Sequence, residues 1–258
     1  MENNCDNITI LEDEEIILVS EENKVSTNKK KKTISNVLKK YYTDDKEIYE
    51  IGVDEVGRGP LFGRVYTAAV ILPKDDDFNY LLMKDSKKFH SKKKIVEVAN
   101  YIKEKAIAWT ISYEDEKSID EINILQATQK AMHTSIKNII LKHKIVCNNE
   151  KKKFQLLIDG NYFHPFKINF NNKCDFIPHL CIEGGDNKFC SIAAASILAK
   201  VARDEYIEEL ILKNPDLSEK YGIDSNKGYG AKKHMDGIKI YGITQWHRKT
   251  FGICKSFS

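Results

Sequence analysis

Ile48-Tyr49-Glu50-Ile51-Gly52-Val53-Asp54-Glu55-Val56-Gly57-Arg58-Gly59-Pro60-Leu61-Phe62-Gly63 is the stretch on which the fold turns. Its first half alternates as a strand does. It then meets two acids and a glycine-rich corner, the composition of a strand end followed by a tight turn. Beyond the corner, Tyr66–Pro73 reads as a second strand and Ile107–Tyr113 as a third, near enough in sequence to form an antiparallel meander. Lys92–Lys105 has helical spacing. Ile119–His143 carries apolar residues at Ile122, Leu125, Ala127, Met132, Ile136, Ile139 and Ile140, the spacing of an amphipathic helix. Phe154–Ile158 is a short buried strand ending at Asp159, and Asp175–Glu183 is another, ending in Gly184-Gly185-Asp186. Ile192–Leu212 is a long helix whose small-residue start (Ala193, Ala194, Ala195, Ser196) lets it lie close to a sheet. A short helix over Ser35–Tyr42 is also expected. The pattern is α/β with a mixed sheet. The corner after the first strand carries Arg58 in place of a G-x-G-x-x-G run, which is unlike a dinucleotide-binding fold.

Composition narrows the classes. Of 258 residues, 41% are hydrophobic and 31% charged, enough apolar material for a real core. No apolar run approaches the ~18 residues that a membrane helix needs, and the first residues have neither the basic start nor the apolar stretch of a secretory signal. Six cysteines without a C-x-x-C pair are expected as reduced thiols. A cytoplasmic protein is therefore expected. Charge is unevenly placed: residues 1–22 hold eight acids and no Lys or Arg, and residues 23–43 hold seven lysines and no acid. Residues 1–46 are read as a charged, disordered tail, with Lys29–Lys32 a nuclear address should the host be eukaryotic. Residues 47–213 are read as a folded α/β domain, and 214–258 as a C-terminal helical region of the same domain.

Acids recur where strands end. Asp54 and Glu55 close the first, Asp159 closes the fourth, and Asp186 precedes the long helix. Singly, each has an ordinary alternative: a surface Glu55, a turn Asp159, an N-cap Asp186. Together at the margin of a core they need a counter-charge, because clustered carboxylates repel and burial alone is costly. Hard divalent ions provide it, and two of them ~4 Å apart suit phosphodiester hydrolysis.

The residues quoted so far, with others, resemble ribonuclease HII, the type 2 ribonuclease H family. The segments are GVDEVGRGPLFG (52–63), DSKK (85–88), LIDGN (157–161), GGD (184–186), SIAAASILAKVARD (191–204), KGYG (227–230) with His234, and YGITQWHRKTFG (241–252). They span about four-fifths of the chain in order. The resemblance implies a ribonuclease H-like mixed five-stranded sheet flanked by helices, with a C-terminal helical region that helps hold the substrate. It implies that Asp54, Glu55, Asp159 and Asp186 bind two Mg2+ or Mn2+ ions and hydrolyse the RNA strand of RNA–DNA hybrids. It also implies cleavage 5′ of single ribonucleotides in duplex DNA, leaving 3′-hydroxyl and 5′-phosphate ends, as in ribonucleotide removal during replication and repair. The sister family, ribonuclease HIII, has Glu as its fourth acid, where this chain has Asp186.

By the same resemblance, Gly57, Arg58 and Gly59 contact the ribonucleotide 2′-hydroxyl and nearby phosphates, and Tyr229 stacks at the RNA–DNA junction. Further phosphate contacts are expected from Lys87, Lys88, Lys200, Arg203 and Arg248, and nearness to substrate from His234 and His247. The partners implied are the hybrid and the ribonucleotide-containing duplex, with no membrane, and the chain is expected to act as a monomer. A silent hybrid-binding protein of the same fold is the rival reading. Two departures stand out: the long charged tail, and a long Asn- and Phe-rich loop over Asn161–Asp175.

Overall fold

The computed structural model describes residues 37–146, 153–170 and 173–257. The acidic block and Lys29–Lys32 lie outside the described residues.

Five strands form the central sheet: β1 (Ile48–Val56), β2 (Val65–Ile71), β3 (Ala108–Glu114), β4 (Lys153–Asp159) and β7 (His179–Ile182). Their order is β3-β2-β1-β4-β7. β1, β2 and β3 make the expected antiparallel meander, while β4 pairs parallel with both β1 and β7. The sheet is therefore mixed. Helix α1 (Lys92–Lys105) and helix α3 (Cys190–Lys213) cover one face, and helix α2 (Glu116–Val146) the other. All seven residues of β2 are buried, and its side chains alternate between the layers: Tyr66, Ala68 and Val70 meet α1 and α3, Ala69 and Ile71 meet α2. A strand buried on both faces reads as continuous apolar sequence, and YTAAVILP does.

Closeness of α3 to β1 has a definite cause. A Cβ on Gly52 would stand 2.2 Å from the backbone carbon of Ser191, so only glycine lets the Ala-rich start of α3 rest on the strand. In α2, Asn123 takes φ +65° and breaks the helix once. Its Oδ1 accepts the Gln126 N–H at 3.1 Å and starts the second segment as an N-cap.

Two expectations change. The strand read over Asp175–Glu183 divides at Pro178, which has no N–H for a ladder. Before it, β6 (Lys173–Phe176) pairs with β5 (Lys167–Phe170) in a separate hairpin, so the long loop after Asp159 holds its own two strands; after it, β7 joins the main sheet. The helix read over Ser35–Tyr42 is absent from Val37 onward. Lys39 instead pairs beside Phe189, donating to Lys188 O at 2.8 Å and accepting from Cys190 N at 3.0 Å. Tertiary pairing outweighs a weak local preference there.

Helices α4 (Asp216–Tyr221), α5 (Ile223–Asn226) and α6 (Lys232–Tyr241) follow α3 and share a core of Phe62, Ile207, Leu217, Tyr221, Ile223 and Ile238. Phe62 belongs to the loop after β1, so this cluster ties that loop to the C-terminal helices. Among the described residues no helix is long and apolar enough to cross a membrane.

Candidate active site

Parallel pairing of β1 with β4 brings their carboxyl ends side by side. Val53 lies opposite Ile158, and the next step along each strand is Asp54 and Asp159. This edge of a parallel pair is where open α/β sheets hold ligands. Carboxylate oxygens of Asp54, Glu55 and Asp159 lie within 4.8 Å of one another, spacing that fits a shared cation. Asp186 sits beside this trio in a turn before α3, whose Gly185 N–H donates to Asp159 Oδ1 at 2.6 Å.

The trio is electrostatically uncomfortable. Asp54 is 4% exposed, and burial, with Glu55 and Asp159 adding repulsion, raises its pKa well above the usual carboxylate range. Ser196 and the Glu55 N–H hydrogen-bond the same carboxylate and offset only part of this. Glu55 is pushed up to about 7, mainly by burial, although Arg58 Nη1 stands 3.4 Å from its Oε1. Burial, then Asp85 and Asp159, raise Asp186, while Lys87 and Asn187 oppose the shift. Hard oxygen ligands packed together with too little positive charge are the donor set that a divalent cation completes, so the residues present fit such an ion.

Supporting residues escaped the sequence reading, Ser196 and Asn187 among them. Ser196 bonds Asp54 and lies 3.0 Å from the Ser86 hydroxyl, so the DSKK segment reaches the acids through two buried hydroxyls. Asn187 donates to Asp186 Oδ1 at 3.0 Å and to Asp85 Oδ2 at 3.2 Å. Asp85 also caps the turn Ser86–Lys88 by accepting from Lys87 N. The cue available was DSKK itself, short polar residues ahead of two lysines.

The loop Gly57–Gly63 borders the acids, and Arg58 and Gly59 are exposed. Arg248 lies beneath it, fully buried. Its Nη2 donates to Gly57 O at 2.6 Å, its Nη1 to Arg58 O and Pro60 O at 2.9 and 2.8 Å, and its Nε to Gly63 O at 2.8 Å. Arg203, 1% exposed, donates through Nη2 to Lys227 O at 2.9 Å and packs against Gly57, where φ is +96° and a Cβ would stand 2.4 Å from Arg203 Nε. Burial, then the neighbouring Arg203, lowers Arg248 to about 9, still charged at neutral pH.

Arg203 and Arg248 are thus corrected: neither guanidinium is open to a phosphate, and both hold backbone carbonyls. Lys200 is tied to Asp204 at 2.7 Å, one turn along α3. His234 and His247 are buried in the C-terminal region. Lys87 and Lys88 are exposed beside Asp186, and Lys88 Nζ hydrogen-bonds Asn187 Oδ1. Tyr229 is half exposed, its ring against Gly59: a Cβ there would stand 3.5 Å from Tyr229 Cε1. The structure therefore clusters Asp54, Glu55 and Asp159, sets Asp186 next to them but outside that cluster, puts Arg58, Gly59, Lys87, Lys88 and Tyr229 at the surface nearby, and leaves Arg203 and Arg248 buried beneath the loop.

Comparison with known proteins agrees with this architecture. The sequence profile described as Ribonuclease HII matches residues 51–254. The chain is 43% identical over 202 residues to Ribonuclease HII of Parabacteroides distasonis, covering 78% of this chain and 89% of that one. To Ribonuclease HII of Pelagibacter ubique it is 45% identical over 200 residues, covering 78% and 94%. The crystal structure of the ribonuclease H2 from Pyrococcus horikoshii aligns with a TM-score of 0.59 at 20% identity, over 81% of this chain and 96% of that one, which speaks for the fold. With a profile spanning most of its length and relatives above 40% identity, the chain belongs to the ribonuclease HII family.

Proposed function

We propose that this protein is a metal-dependent endonuclease that hydrolyses the RNA strand of RNA–DNA hybrids and cuts 5′ of single ribonucleotides in duplex DNA. Its place would be ribonucleotide removal during replication and repair. The observation that carries the reading is the packing of Asp54, Glu55 and Asp159 within 4.8 Å, beside Asp186, at the edge of the Gly57–Gly63 loop.

Asp54, Glu55, Asp159 and Asp186 would hold the cation, Mg2+ or Mn2+ and by this reading two ions. Bound there, it would activate a water and stabilise charge on the scissile phosphate. The chain's own residues do the rest. Ser196 and the Gly185 N–H fix Asp54 and Asp159 so that their remaining oxygens point to the shared space. Arg58 tempers the charge of Glu55.

Recognition of ribose follows from Arg248. A trans peptide points its C=O and N–H in opposite directions. Drawing Gly57 O and Arg58 O inward turns the N–H groups of Arg58 and Gly59 outward. Outward amides on a floor without a side chain suit a 2′-hydroxyl, which donates and accepts, and the adjoining phosphates. Tyr229 against Gly59 offers a ring for the next sugar. Lys87 and Lys88 are placed to meet backbone phosphate, without reading sequence.

The test is cleavage of a labelled DNA duplex with one ribonucleotide, beside an all-DNA duplex and a long RNA–DNA hybrid, in Mg2+, Mn2+ or EDTA. A metal-dependent cut 5′ of the ribonucleotide, leaving a 3′-hydroxyl, is expected. Tight hybrid binding with no cut on any substrate would replace this reading with the silent binding protein.

A further inference from the structure

Behind the turn that carries Tyr229, two imidazoles face each other. His234 and His247 are 0% and 1% exposed, and their Nε2 atoms are 3.1 Å apart. Their outer nitrogens settle where the protons are. His247 Nδ1 accepts the Thr244 backbone N–H at 2.9 Å, so it carries no proton; the Thr244 hydroxyl is also 2.9 Å away. His234 Nδ1 lies 2.8 Å from Tyr229 O, a carbonyl that only accepts, so it carries one. A neutral imidazole has a single N–H. His234 Nε2 is therefore the acceptor and His247 Nε2 the donor. The chain runs one way, from Thr244 N–H through His247 and His234 to the Tyr229 carbonyl. Burial favours the neutral rings, lowering His234 and taking His247 down to about 3.

We propose that His234 and His247 are positioning residues. They hold the Lys227–Gly230 turn at the height where the Tyr229 ring meets Gly59, and so set the preference for a single ribonucleotide in DNA over a long hybrid. The proposal rests on reading Tyr229 as the residue at the RNA–DNA junction. Three consecutive carbonyls of the turn are held from different elements. Arg203 Nη2 binds Lys227 O at 2.9 Å, Leu61 N–H binds Gly228 O at 2.9 Å, and His234 Nδ1 binds Tyr229 O. The Ala231 N–H also donates to Tyr229 O at 2.8 Å, but that bond is local and would move with the turn. The turn needs holding, since Lys227 and Gly228 take φ of +50° and +88° and a non-glycine residue there is strained. Phe62 closes the unit, its ring centroid 5.1 Å from that of His247 and its Cβ against Gly228.

Two substitutions separate positioning from packing. His234→Asn keeps an amide N–H near the place of Nδ1 and can still donate to Tyr229 O. His234→Gln reaches toward His247 and releases Tyr229. On the full chain, His234→Gln should lower kcat/KM on the single-ribonucleotide duplex by roughly 10–100-fold and on a long hybrid by less than about threefold, with His234→Asn recovering most of the loss. Tyr229→Ala serves as the reference. Equal losses for His234→Gln on both substrates, with Tyr229→Ala still selective, overturn the proposal. Equal losses for Tyr229→Ala overturn the junction reading beneath it. Imidazole 15N NMR of the unaltered chain supplies a readout free of activity. One ring protonated at Nδ1 and its neighbour at Nε2 are expected, whereas two Nε2-protonated rings would break the proton chain. Should His234→Gln fail to fold, His247→Gln keeps an N–H toward His234 and should show the same selectivity in milder form; its equal loss on both substrates would overturn the proposal.

Discussion

Two sets of buried charge border the same loop and are built in opposite ways. Asp54, Glu55 and Asp159 crowd together with few donors, and burial and mutual repulsion push Asp54 and Glu55 up. Arg248 is as deeply buried, yet Nε and both terminal nitrogens meet carbonyls, four in all. A buried charge whose nitrogens all meet acceptors is a fastener, even with a like charge, Arg203, beside it. A buried charge left repelling its neighbours marks where something else binds. Position within a motif does not separate the two cases, but saturation does.

The sharpest way to break the contrast is Asp54→Asn. It should remove at least roughly three orders of magnitude of cleavage, because a ligand of the reacting centre is worth several kcal/mol. In EDTA its Tm should equal or exceed that of the unaltered chain, since a repelled buried charge is gone. Retained cleavage, or a large fall in that Tm, would make Asp54 structural. Arg248→Met is the mirror experiment. It strands buried carbonyls at ~1–3 kcal/mol each, and urea unfolding should report a loss of at least about 3 kcal/mol. An unchanged midpoint would show that the carbonyls find other partners.

Acidity gives a subtler contrast. Without metal, folded Glu55 at about 7 holds a proton that the unfolded chain releases near 4.5, so stability falls as pH rises across that window. A cation must displace that proton. The Tm gain on adding Mg2+ should therefore be larger at pH 8 than at pH 5, and equal gains would place the ion elsewhere. His247 works with the opposite sign. Folded it titrates at about 3, unfolded near 6.5, so its share of stability is lost as pH falls below 6.5. His247→Gln should flatten the acid limb of a Tm–pH curve, and an unaltered limb would exclude His247 as its source.

Much of this was legible in the sequence. β1 and β2 announce themselves by alternation and by a continuous apolar run, and acids that follow apolar residues at strand ends stand out as strained. Lys92–Lys105 is bounded as its spacing predicts. What was not legible depends on closure in three dimensions. Arg203 and Arg248 look like surface cations because sequence does not say which way a charged side chain faces once α3 and the C-terminal segment fold over the loop. Ser196 reads as one more small residue in an Ala-rich start, and only the approach of α3 to Gly52 turns it toward Asp54. Pro178 was the missed sign that residues 175–183 could not be one strand.

The bond from Arg248 to Gly63 joins residues 185 positions apart. Synthesis proceeds at ~5–20 residues per second, so on the order of ten to forty seconds separate the emergence of the loop from that of its fastener. During that interval β1 and β2 can already pair, yet Gly57 O, Arg58 O, Pro60 O and Gly63 O still face water. A nascent chain thus carries its first two acids long before the surface proposed to read ribose is set, and a truncation before Arg248 would leave the acids in place and the loop unfixed.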